Sequence, residues 1–184
     1  MSTALIIVDI QNDYFPNGKM ELSNPEKAAA NASKVLDWFR QNNKDNIFHV
    51  QHIASSPELG FFLPNTEGAE LHETVLPLEH ENIITKHFPN SFLKTELESK
   101  LKEKEVTKVV VVGMMTHMCI DATVRAAVDL GFETTLIEDA CATRDLPYRD
   151  KVVPAEQVHY AFVSALQDIY ANVISTEDFL QQGC

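Results

Sequence analysis

Three side chains lying far apart in this 184-residue sequence supply the parts of an activated nucleophile. Cys119 offers a thiol, Asp9 a carboxylate and Lys86 an ammonium. Each stands at or just beyond the end of an apolar run: Ala4-Leu5-Ile6-Ile7-Val8 precedes Asp9, Ile83-Ile84 precedes Lys86, and Val109-Val110-Val111-Val112-Gly113 precedes Cys119. A helix starting near Cys119 would surround its sulfur with unpaired N–H groups and the positive end of the helix dipole. That setting favours a thiolate and lowers the thiol pKa. The same amides could bind an oxyanion. Taken singly, each residue also has a plain structural explanation: a small buried cysteine, a turn aspartate, a solvated lysine. Their chemistry depends on whether the fold brings them to one place.

The elements that must do so are legible in the hydrophobic pattern. The unbroken apolar run Ala4–Val8 suits a strand buried on both faces, and Ile47–Val50, Ile83-Ile84, Val109–Val112, Thr134–Ile137 and Val173-Ile174 read as further strands. Between them, helical spacing predicts helices over Pro25 to Arg40 (with Asn24 as cap), Ser91 to Lys104, Ile120 to Leu130 and Pro154 to Tyr170, with a short tail from Thr176 to Leu180. Alternating strands and helices imply right-handed βαβ units. The expected architecture is α/β, a three-layer α/β/α fold with a largely parallel sheet of about six strands. Ligands in such sheets sit beyond the carboxyl ends of the strands, where Asp9, Lys86 and the segment after Gly113 fall. The stretch from His52 to Glu79, rich in proline and glycine, reads as a long functional loop. No repeat or linker divides the chain, so residues 1–184 are read as one domain.

Five segments together resemble one known family. Leu5-Ile6-Ile7-Val8-Asp9-Ile10-Gln11-Asn12-Asp13-Tyr14-Phe15 resembles the opening of the isochorismatase-like cysteine hydrolases. Thr85-Lys86-His87-Phe88-Pro89-Asn90-Ser91-Phe92 is similar to that family's lysine segment, and Gly113 to Cys119 to its nucleophile segment. Asp139-Ala140-Cys141-Ala142 is similar to the segment placed after its next strand, and His159 to Leu166 to its late helix. The matches run in order over nearly the whole chain. The family includes nicotinamidases, N-carbamoylsarcosine amidohydrolases and ureidoacrylate or biuret hydrolases. The resemblance implies a Rossmann-like fold and Asp9, Lys86 and Cys119 as a catalytic triad. It also implies a cis peptide between Met114 and Met115, with the amides of Met115 and Cys119 forming an oxyanion hole. The implied reaction is hydrolysis of a small amide, ureide or related C–N substrate through a thioester. Many relatives form homo-oligomers.

Gln11, Phe15, His52, Phe92 and Met114 are the further candidates for substrate binding. Nicotinamidases carry a metal-binding Asp-x-His after the second strand, but here the stretch reads His49-Val50-Gln51-His52, so neither metal nor cofactor is expected. A net charge of −12 would repel phosphate backbones and anionic membranes, which leaves a small molecule as the expected partner. Three cysteines without a paired spacing, and no apolar stretch long enough for a signal or a membrane span, suggest a reduced cytoplasmic protein. Cys141 and Cys184 are read as inert, Cys184 as mobile. Two rival functions stand beside amide hydrolysis. One is vinyl ether hydrolysis of the isochorismatase type, with Cys119 incidental. The other is a non-catalytic binding module.

Overall fold

The computed structural model describes residues 2–183, so Cys184 lies outside the described residues. In chain order the strands and helices are β1 Ser2–Val8, α1 Pro25–Asn42, β2 Ile47–His52, β3 Asn82–Lys86, α2 Leu97–Glu103, β4 Val106–Met114, α3 Asp121–Asp129, β5 Glu133–Ala142, β6 Leu146–Tyr148, β7 Lys151–Val153, α4 Ala155–Leu166, β8 Asn172–Ile174 and α5 Thr176–Gln182. Six strands form one parallel sheet in the order β3-β2-β1-β4-β5-β8. Alternate residues of β1 serve opposite faces, as a doubly covered strand requires. Leu5 and Ile7 pack against Val35, Leu36 and Phe39 of α1 and Phe179 of α5. Ala4, Ile6 and Val8 pack with Leu97 and Leu101 of α2 and Val124 and Ala127 of α3 on the other face. No helix among the described residues is long and apolar enough to cross a membrane.

This strand order places the site. From β1 the chain steps one way to β2 and β3, then returns to β1's other side for β4 and β5. The reversal leaves a crevice at the carboxyl ends of β1 and β4. There Val8 pairs with Gly113, and the two backbones nearly touch. Gly113 has φ +133, and a Cβ on it would stand 2.0 Å from the Val8 carbonyl oxygen. Only glycine allows both the dihedral and the approach.

Several predicted boundaries are corrected. The helix expected over Ser91 to Lys104 begins only at Leu97. Before it, Ser91 donates its backbone N–H to Thr123 Oγ1, and Thr95 Oγ1 donates to the Ser91 carbonyl, so side chains take over bonds a helix would use. The helix expected to reach Tyr170 ends at Leu166, whose carbonyl accepts from both Tyr170 and Ala171. Strand β5 runs on to Ala142, so Asp139 lies within it and caps α5 through Thr176 rather than following the strand. Asn24 precedes α1 in a left-handed conformation, without a side-chain capping bond. The β6–β7 hairpin was unexpected, because its exposed residues carry no alternating pattern. The long loop from His52 to Glu79 contains three short 3₁₀ turns, at Pro57–Leu59, Glu67–Ala69 and Glu73–Val75.

Replacing Gly113 with alanine should cost about 2–4 kcal/mol, from backbone strain and overpacking together. Urea unfolding of Gly113→Ala measures this. Unchanged stability would mean that β1 and β4 approach less closely than described.

Candidate active site

Asp9, Lys86 and Cys119 converge beyond the sheet. Asp9 is the first residue after β1 and takes a left-handed backbone conformation (φ 52), while its amide still donates to the Val50 carbonyl at 3.0 Å. Aspartate tolerates this region better than most residues, and the bend turns its side chain off the strand. Lys86 ends the edge strand β3. That strand's start is anchored by Glu81, which accepts from Arg40 Nε at 2.8 Å and Nη2 at 3.0 Å and meets His49 Nε2 at 2.8 Å. Burial opposes the Glu81 charge, but Arg40, the Leu78 amide and His49 outweigh it and hold the carboxyl at about 2. The edge strand is thereby tied to α1 and β2, and Lys86 is held in place.

The Lys86 ammonium lies 2.7 Å from Asp9 Oδ2, and both side chains are fully buried. Around the same nitrogen stand the carbonyls of Phe88 at 3.0 Å and Pro89 at 3.2 Å, and His52 Nδ1 at 3.2 Å. An ammonium only donates, so in this contact His52 Nδ1 is the acceptor. Neither Asp9 oxygen has a donor aligned on it, and the close Lys86 contact acts by charge rather than along a hydrogen-bond direction. Burial works against the Asp9 charge, yet its surroundings, the Lys86 charge foremost, outweigh it and keep the carboxyl below its ordinary value. Burial likewise opposes the Lys86 charge, and Asp9 more than restores it.

Cys119 lies in a π-helical turn, Thr116–Ile120, that leads into α3. Its sulfur, a carboxylate oxygen of Asp9 and a ring nitrogen of His52 all lie within 4.8 Å of one another. The expected lowering of its pKa is corrected: burial, then the Asp9 charge, pushes the thiol well above its ordinary value, and Lys86 only partly opposes them. The resting site is therefore a neutral thiol beside an ion pair. The turn is held from outside by Thr116 Oγ1 with His159 Nδ1 at 3.0 Å and His117 Nδ1 with Thr143 Oγ1 at 2.6 Å. The Met114–Met115 peptide is cis.

Asp9, His52 and Cys119 are also the one trio of metal-ligand type found among the described residues. Lys86 already places its positive charge against Asp9 and His52, where a cation would sit.

A cavity of about 420 Å³ opens over Cys119, within the usual range for small-molecule sites. His52, Tyr14, Phe61, Pro89, Met115 and Met118 are among its walls. Of the binding candidates, only His52 lines it. Gln11 is spent on backbone: its amide nitrogen donates to the carbonyls of His52 and Ala69, both at 2.8 Å, and its oxygen accepts from the His52 amide at 2.8 Å. Phe15 stacks on His72 at 3.5 Å beside a different cleft, Phe92 stacks on Phe132 within the core, and Met114 is wholly buried. None of these four lines the cavity over Cys119. Tyr14 was missed because the 3₁₀ turn Asn12–Tyr14, which hydrophobicity does not signal, faces Tyr14 rather than Phe15 to the cavity. Burial, with the nearby Asp9 charge adding to it, pushes its phenol well above its ordinary value. Asp13 accepts from the Phe62 amide at 2.7 Å and so holds the loop that carries the cavity's Phe61 wall.

This fold and this arrangement define a hydrolase class, and comparison with known proteins names it. Residues 3–178 match the isochorismatase domain model. The chain is 60% identical to an uncharacterized isochorismatase family protein of Bacillus subtilis, over 98% of this chain and all of the relative. It is 30% identical to a streptothricin hydrolase of Streptomyces noursei, over 90% of this chain and 59% of that protein. A solved structure from Oleispira antarctica, assigned there to the isochorismatase hydrolases, superposes with a TM-score of 0.92 at 45% identity, covering 98% of this chain and 96% of the other. The chain belongs to the isochorismatase family of hydrolases.

Because the thiol is held protonated, Cys119 should contribute no thiolate absorbance between about pH 5 and 9. Ultraviolet difference spectra of wild type against Cys119→Ser read this directly. A Cys119-dependent titration step inside that window would contradict the account.

Proposed function

We propose that the chain is a single-domain, cysteine-dependent hydrolase of small amides, ureides or related C–N substrates. The observation that carries this reading is the buried Asp9–Lys86 pair beside Cys119 at the floor of a cavity. Asp9 is an ionised base next to a thiol that does not ionise by itself. Proton transfer therefore accompanies attack instead of preceding it.

In the proposed sequence, the sulfur bonds to the substrate carbonyl carbon while its proton passes to Asp9. The carbonyl electron pair moves onto oxygen, where the amides of Met115 and Cys119 stabilise it. Each such donor is worth on the order of 10²–10³ in rate. As the tetrahedral intermediate collapses, the C–N bond breaks and the nitrogen leaves with the Asp9 proton. Water then attacks the thioester and gives a proton to Asp9, which returns it to the sulfur as the acid departs. Lys86 keeps Asp9 ionised at the start of each half-reaction. The thiol ends as it began.

Membership of a family whose relatives include a streptothricin hydrolase supports an amide-type substrate. A homo-oligomer belongs to the same proposal, with the long loop from His52 to Glu79 and the last helices as its candidate contact segments. Sedimentation should then give a mass at least twice the 20.7 kDa of one chain, and a monomer would remove that element.

A panel of small amides and ureides, with ammonia or amine release as readout, tests the chemistry. Cys119→Ala and Asp9→Asn should each lower turnover at least ~10³-fold while thermal unfolding shows both variants folded. Mass spectrometry of rapidly quenched wild type should show an acyl adduct on Cys119. Full activity in Cys119→Ala would end the proposal.

A further inference from the structure

We infer that Glu58 selects substrates by charge, so that the site takes neutral or cationic amides and turns away those bearing a carboxylate. This rests on the reading of Cys119 as nucleophile and concerns what reaches it.

The cavity is stratified. Tyr14, His52, Met115 and Cys119 form its floor, all buried, while Ser55, Glu58, Leu59, His87 and Met118 form an exposed rim. Apolar walls from Phe61 and Pro89 contribute to its lining. Among the lining residues there is no lysine and no arginine, and Glu58 is the one carboxylate. Two cations stand outside this lining: Lys86 is paired with Asp9 beneath the floor, and Arg144 lines a separate cleft with Lys19 and Asp145, from where its charge reaches only the Tyr14 side of the floor. A substrate whose carbonyl reaches Cys119 must lay its outer part against the rim. An anionic group there would face Glu58 without a partner, in a molecule of net charge −12.

Local chain chemistry presents Glu58 deliberately. Ser56 caps the short turn Pro57–Leu59 by accepting the Glu58 amide at 3.3 Å. Pro57 opens the turn, and Gly60 closes it with φ 79. The carboxylate thus projects from a turn braced at both ends.

Matched methanethiosulfonates test this without a known substrate: the neutral methyl, cationic trimethylammonioethyl and anionic sulfonatoethyl reagents. In each reaction a disulfide forms on Cys119, methanesulfinate leaves and the thiol proton passes to Asp9. Rates at Cys119 are read by peptide mass spectrometry and divided by each reagent's rate with free N-acetylcysteine. Relative to wild type, the cation-to-anion ratio should fall about fivefold in Glu58→Gln and about 25-fold in Glu58→Lys at low salt, and these differences should shrink as salt is added. An identical ratio in all three proteins would overturn charge selection while leaving the nucleophile intact. If no reagent modifies Cys119 faster than buried Cys141, the nucleophile reading falls, and this inference falls with it.

Discussion

The site depends on one contact, the buried ion pair between Asp9 and Lys86. Either charge alone in that position would be strongly unfavourable, because burial removes the water that would solvate it. Together, with the Phe88 and Pro89 carbonyls accepting hydrogen bonds from the ammonium, they form a neutral unit that holds a carboxylate ionised against a thiol. The pair is therefore weak evidence for stability and stronger evidence for chemistry. An apolar pair would pack there at lower cost but could not accept a proton.

Holding that pair in register engages much of the fold. Asp9 comes from a central strand and Lys86 from the edge, so β2 must lie between them with its end pinned. Gln11 does the pinning, joining the exit of β1 to the end of β2 and to the loop at Ala69 through three hydrogen bonds. The thiol arrives from the opposite side of β1, on a turn launched where Gly113 lets β4 approach Val8. Substrate space is then closed by the long loop, which Asp13 and Gln11 attach to the sheet. Residues of the opening motif that look like pocket contacts thus serve mainly as ties.

The sheet was legible from simple periodicities, and the meeting of Asp9, Lys86 and Cys119 from their places at or just beyond strand ends. Apolar runs marked the strands, and polar residues at their carboxyl ends marked the site. What escaped was set by tertiary context. Nothing in the local pattern shows that Asp9 bends into the left-handed region, or that Tyr14 rather than Phe15 faces the cavity. The direction of the Cys119 shift was misjudged because the dipole of a helix start is visible in sequence, whereas desolvation and a neighbouring carboxylate appear only once the chain is folded. The shortened α2 and α4 reflect serine and threonine side chains, and a left-handed Asp168, competing with helical bonds. The β6–β7 hairpin has no buried face, so hydrophobic patterning could not reveal it.

The state of Asp9 tests the account most directly. Its side-chain carboxyl carbon, followed by NMR in isotopically labelled protein, should titrate below the ordinary aspartate value of about 3.9. In Lys86→Met the same signal should move well above that value, since burial then acts without its counter-charge. An Asp9 carboxyl that titrates above the ordinary value in the wild type, or that is unmoved by loss of Lys86, would contradict the claim that this lysine keeps the base ionised.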